Sequence, residues 1–131
     1  MKKSINTIIQ NSGGKYLLQM RDGTEGICHP LQWNFFGGGM KSDAPLAEAT
    51  RELKEELGIA SGPDDLELVG DITGKDFKVH VIKYQKEVSW QDFQLFEGAG
   101  VGYFTKEEML KINITENTRL IIKKYLKKRA N

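Results

Sequence analysis

Four glutamates, Glu48, Glu52, Glu55 and Glu56, follow one another at intervals of four, three and one residues inside the stretch 37–59, GGGMKSDAPLAEATRELKEELGI. On a helix turning ~100° per residue they fall within about a third of the circumference. Leu46, Leu53 and Leu57 gather on the opposite side, so one face is acidic and the other apolar. Carboxylates three and four residues apart repel by about 0.2–0.5 kcal/mol per pair, which makes such a face a natural seat for a cation. An all-oxygen donor set suits a hard ion, Mg²⁺ with Mn²⁺ as a substitute. A helix rich in Glu and Lys is also an ordinary solvated surface. What turns the reading toward chemistry is the glycine triplet Gly37-Gly38-Gly39 just before it, itself preceded by Trp33-Asn34-Phe35-Phe36. Glycines let a backbone approach a ligand closely.

The stretch resembles the Nudix box, G-x5-E-x7-R-E-U-x-E-E-x-G-U with U an aliphatic residue. The fit runs through Gly37, Asp43, Arg51, Glu52, Leu53, Glu55, Glu56, Gly58 and Ile59, with Asp43 standing where the family has Glu. Fixed spacing over that many positions is far more specific than a lone glycine-rich loop. The resemblance implies an α+β chain folded as a Nudix-type α/β/α sandwich with a mixed central sheet. It also implies hydrolysis of a diphosphate linked to another moiety, by water attack at phosphorus. In that scheme Glu55 and Glu56 are metal ligands, and Glu52 is a ligand or the base that deprotonates water. Arg51 holds a neighbouring carboxylate through its planar fork. A backbone carbonyl of Gly37 or Gly38 completes the metal site; Phe36 occupies the place of a proline common in relatives, and either glycine aligns. Ser42 or Asp43 is expected to cap the helix, with Pro45 in its first turn, and for Asp43 the cap is preferred to a direct bond to the metal. Glu48 lies outside the fixed positions and reads as a solvated charge.

Further positions rest on the same resemblance to mutator-type nucleotide hydrolases. Glu97-Gly98 resembles a loop that brings another carboxylate to the metal. Arg21 resembles an arginine that reaches substrate phosphates. Asn117 resembles an asparagine that reads a purine edge, although a capping role for Asn117 or Thr115 serves equally. Trp33 is a stacking candidate, and a tryptophan packed into the core is the commoner outcome. The expected substrate is a small-molecule nucleoside diphosphate derivative, a nucleoside triphosphate included. The alternative is a noncatalytic Nudix module that senses a nucleotide or an ADP-ribose-like ligand. The retention of Glu52, Glu55 and Glu56 favours the enzyme.

The remaining composition bounds these readings. At 131 residues the chain suits a single Nudix domain over 1–131. Its 19 Lys and Arg against 18 Asp and Glu give a net charge of +1, which supplies no global pull toward nucleic acid or an anionic membrane. Cys28 is the one cysteine, so no internal disulfide forms, and with no long apolar run the expected location is cytoplasmic. His29 and His80 have no companions at zinc-ligand spacing. The basic tail at Lys123, Lys124 and 127–129 complements the C-terminal dipole of a last helix. A homodimer is among the assemblies relatives form.

Strands are expected over 4–10 and 15–20 as a hairpin around Asn11-Ser12-Gly13-Gly14, over 66–72 and 77–88, and over 101–104. Helical segments are expected over the acidic stretch, 106–110 and 115–128, with a break at 61–65.

Overall fold

The computed structural model describes residues 1–20, 32–94 and 100–126. Strand alternation builds two sheets. One is four-stranded, in the order β4 (Phe36–Gly39), β1 (Lys2–Ile8), β6 (Phe77–Tyr84) and β5 (Leu66–Thr73). Within it β1 and β6 run parallel while the flanking pairs are antiparallel, so the sheet is mixed. The other is antiparallel, in the order β3 (Trp33–Asn34), β2 (Tyr16–Met20) and β7 (Gly100–Phe104).

The mixed sheet is covered on both faces. Ile82 and Tyr84 of β6 pack with Ala49, Leu53 and Leu57 of α1 (Pro45–Leu57). Val79 and Val81, pointing the other way, pack with Ile121 and Ile122 of α3 (Glu116–Tyr125). The outcome is the expected α/β/α sandwich in an α+β chain. A short α2 (Lys106–Met109) lies between β7 and α3, with Thr105 accepting from the Glu108 N–H and the Glu108 carboxylate accepting from the Thr105 N–H.

Two expectations are corrected. The turn at 11–14 forms, with Asn11 Oδ1 accepting from the Gly13 and Lys15 N–H groups, but the strands beside it are not a hairpin. After a bridge between Gln10 and Tyr16 they part, β1 to the mixed sheet and β2 to the other. Ile5 to Ile8 are buried in succession, the signature of a strand covered on both faces, and both edges of β1 are taken by β4 and β6. The second correction concerns the entry to α1. Its N-cap is Ala44 with no side-chain cap, so neither Ser42 nor Asp43 serves. The Asp43 side chain is 92% exposed and pairs with Lys3 at 3.4 Å.

The run 33–39 carries no strand periodicity, yet it forms β3 and β4 and brings the glycines to the edge of the mixed sheet. Gly37 has φ +155°, and a Cβ there would stand 2.0 Å from the Ile5 carbonyl oxygen. No other residue fits. The Met40 N–H donates to Lys3 O at 3.0 Å, and hydrogen-bonded pairs alternate along an antiparallel ladder. With Gly38 opposite Ile5, that phase directs Gly38 at β1 and turns the Gly37 N–H and carbonyl away from it. At the far end of α1, Gly58 (φ 68°) donates to Lys54 O at 3.0 Å while Ile59 donates to Leu53 O at 3.2 Å, which stops the helix and sends buried Ile59 into the core.

Gly37→Ala should therefore destabilise the chain by at least ~1–3 kcal/mol, the scale of one strained backbone position. Gly39→Ala, where an added Cβ meets nothing within 4 Å, should leave the melting temperature close to the parent's. Thermal denaturation of the two variants checks this; equal losses would contradict the placement of β4.

Candidate active site

The acidic face of α1 is not a solvated surface. Glu48 and Glu56 are 5% and 4% exposed, and the Glu52 side chain is 14% exposed; Glu55 is the open member, at 48%. The face turns inward onto β4, where the Glu52 carboxylate lies so close to Gly38 that a Cβ added there would stand 3.3 Å from Glu52 Oε1. The charges are organised by Arg51. Its Nε and Nη2 donate to Glu48 Oε2 and Oε1 at 3.3 and 3.2 Å, a bidentate fork. Nη2 also pairs with Glu52 Oε1 at 3.1 Å, and Nη1 donates to Glu55 Oε2 at 2.9 Å. Glu48 further accepts the backbone N–H of Lys41 in the turn between β4 and α1.

Glu48, expected from the sequence as a solvated charge, is instead buried and paired. The signal was available: an acid three residues before an arginine lies directly beneath it on a helix. It is offset by about one residue from the solvent-facing side and sits beside buried Ala49.

The remaining predicted site residues fall into two groups. Trp33 lies on β3, which is laced to the segment that enters α3 just before Asn117: the Trp33 N–H donates to Asn113 O at 2.8 Å and Trp33 O accepts from the Thr115 N–H at 3.0 Å. The Trp33 ring is half-buried, set edge-on to Phe104 with centroids 4.9 Å apart. The cap of α3 is Thr115, which accepts from the Thr118 N–H, so Asn117 is released from the capping alternative. Arg21 and Glu97, like Cys28 and His29, lie outside the described residues. A cavity of about 310 Å³ opens at the other end of α1, lined by Leu57, Gly58, Gln91, Asp92, Phe93 and Gln94, and none of the nominated residues lines it.

The NUDIX domain family model matches residues 2–124. The chain belongs to the NUDIX domain family. Solved structures agree in fold. A MutT structure from work on Aliivibrio salmonicida and Vibrio cholerae superposes with a TM-score of 0.75 at 18% identity, over 93% of this chain and 94% of that one. A MutT NUDIX hydrolase from Burkholderia pseudomallei gives 0.73 at 21% identity, over 95% and 97%. The NUDIX domain of Shewanella oneidensis NrtR, in complex with ADP ribose, gives 0.71 at 12% identity, over 92% and 83%. No curated protein matches the sequence. By family and by fold the chain is placed among the Nudix hydrolases, and no helix among the described residues is long and apolar enough to cross a membrane.

The carboxylates fit a hard divalent ion here by donor type and by charge: when ionised, Glu48, Glu52 and Glu55 share the single guanidinium of Arg51, Glu56 follows on the same helix, and the face is left negative. Among the described residues no three of them, and no other acidic, His or Cys group, converge on one point. The guanidinium instead holds Glu48, Glu52 and Glu55 on its own nitrogens.

The same pairing sets an acid dependence. Hydrogen bonds from Arg51, then the Lys41 N–H, hold the Glu48 carboxyl below the usual carboxylate range against its burial, and Glu48 is the largest cause of the raised Arg51 value. A carboxyl depressed in the fold contributes stability that is present above its unfolded pKa and is lost as pH falls through the folded one. The melting temperature should therefore fall more steeply toward acid in the parent than in Glu48→Gln. Parallel curves across a series from neutral to acid pH would contradict the pairing.

Proposed function

We propose that this chain, 1–131 as one Nudix domain, is a Mg²⁺-dependent pyrophosphohydrolase acting in the cytoplasm on a nucleoside triphosphate or another nucleoside diphosphate derivative. The observation that carries the reading is the inward turn of the acidic face onto the glycine strand. A solvated helix has no reason to bury Glu48 and Glu56 or to press Glu52 against a residue without a side chain.

Glu52, Glu55 and Glu56 would hold the ion, with the Gly37 carbonyl, turned off the ladder, and Glu97 as further oxygen donors. Bound there, a divalent ion offsets the charge of the two phosphates and acidifies the attacking water. The chain's own residues do the rest. Glu52, pinned between Gly38 and Arg51, binds the ion or receives the proton of the water. Arg51 keeps the carboxylates in register, and Arg21 contacts the phosphates. Trp33 and Asn117 would take the base. Trp33 is four residues before Gly37, at most about 14 Å along an extended chain, a span suited to a base at one end and a diphosphate at the other. Such a division puts recognition and cleavage on two consecutive strands, β3 and β4.

Incubation with Mg²⁺ and a broad nucleotide panel, with products identified by mass, tests the reading. Expected are a monophosphate and its phosphorylated partner, turnover abolished by chelator and restored by Mg²⁺ or Mn²⁺, and losses of orders of magnitude in Glu55→Gln and Glu56→Gln with the fold intact. In the same panel Asn117→Ala should shift the preference among bases. Binding of ADP ribose without cleavage of any diphosphate would replace hydrolysis by the sensing reading, and near-normal turnover in both glutamine variants would remove the acidic face from the chemistry.

A further inference from the structure

The acid at the seventh position of the Nudix box, Asp43, is almost fully exposed and pairs with Lys3. Glu48, five residues later and at no fixed position of the box, is buried and bonded to two things at once. Through both carboxylate oxygens it grips the Arg51 guanidinium, and through Oε1 it accepts the Lys41 N–H of the turn that follows β4. One carboxylate therefore ties the glycine strand's exit to the arginine that touches Glu52 and Glu55.

We propose that Glu48 is the positioning residue of this site, fixing Arg51 and the β4–α1 turn from a place outside the motif, while Asp43 takes no part. The inference rests on the metal-dependent reading above and deepens it. Its physical content is a competition. Glu52 and Glu55 cannot serve a guanidinium and a metal ion equally well; a buried acid that holds the guanidinium by two bonds limits how strongly it recruits the other two. Without Glu48, Arg51 keeps its charge and finds only Glu52 and Glu55 to pair with. Metal binding then has to displace a stronger ion pair, and the carboxylates that remain are held at the wrong angle for the reaction.

The test measures Mn²⁺ affinity of the full chain by the free-ion electron paramagnetic resonance signal, together with kcat and KM at saturating metal, below the melting temperature of every variant. Glu48→Gln should weaken Mn²⁺ binding and lower kcat by about 10-fold each, the lower end of what loss of a ligand's hydrogen-bond partner costs, with KM little changed. Asp43→Asn should match the parent in both. In the double variant with Arg51→Gln, the Glu48→Gln change should cost clearly less than it does in the parent, because most of its effect travels through the arginine and only the Lys41 contact remains to be lost. Should Glu48→Gln fail to fold, Glu48→Asp, which keeps the charge and shortens the arm by one methylene, should weaken Mn²⁺ in the same direction. A parent that binds and hydrolyses normally while Glu48→Gln also does so, a loss shared by Asp43→Asn, or fully additive losses with Arg51→Gln would each overturn the inference alone. A parent that binds no Mn²⁺ would overturn the metal reading beneath it as well.

Discussion

One guanidinium set among three carboxylates, with a fourth on the same helix, is the constraint on which the site depends. Two like charges about 4 Å apart cost ~4 kcal/mol where the effective dielectric is near 20, several times the penalty of an exposed helical pair. Burying Glu48 and Glu56 moves the face toward that regime. Arg51 offsets the repulsion from within by bonding Glu48, Glu52 and Glu55 at 2.9–3.3 Å. It does so incompletely: one positive charge is bonded to three carboxylates, and the face stays negative.

Everything around α1 serves to hold that face against β4. Ala49, Leu53 and Leu57 anchor the helix to the sheet, Gly58 ends it, and the αL turn there buries Ile59. On the opposite side the strand comes close only because Gly37 and Gly38 lack side chains: one would collide with Ile5, the other would crowd Glu52. The parallel pairing of β1 with β6, which carries the chain through the middle of the sandwich, fixes the edge on which β4 docks. The laced contact between Trp33 and the segment entering α3 then sets the second half of the candidate site by the same strand run.

What could be read from the sequence follows the strength of each local rule. The acidic helix was legible because its apolar residues recur with helical period and its end carries a glycine at the αL position. The strands from 66 and from 77 were legible by alternation and by the turn between them. Where local rules conflicted with tertiary ones, the sequence misled. Asn11 to Gly14 specify a tight turn, but nothing local says that β1 will find partners on both edges and leave β2 to another sheet. Asp43 and Ser42 are good capping types, yet the chain places Ala44 at the cap and leaves Asp43 to Lys3. Glu48 looked like one more surface acid because motif position and burial are different properties, and only packing decides the second. The aromatic and glycine run 33–39 has no period to read, so β3 and β4 emerge from pairing alone.

The most direct measurement of the central claim is the anomalous scattering of Mn²⁺ in crystals of the full chain. The account predicts a peak against the carboxylate oxygens of Glu52, Glu55 and Glu56, with Arg51 still forked onto Glu48 and drawn back from Glu52 and Glu55. A peak at another surface, or a bound ion with Arg51 released from Glu48 and still paired to Glu52 and Glu55, would contradict it.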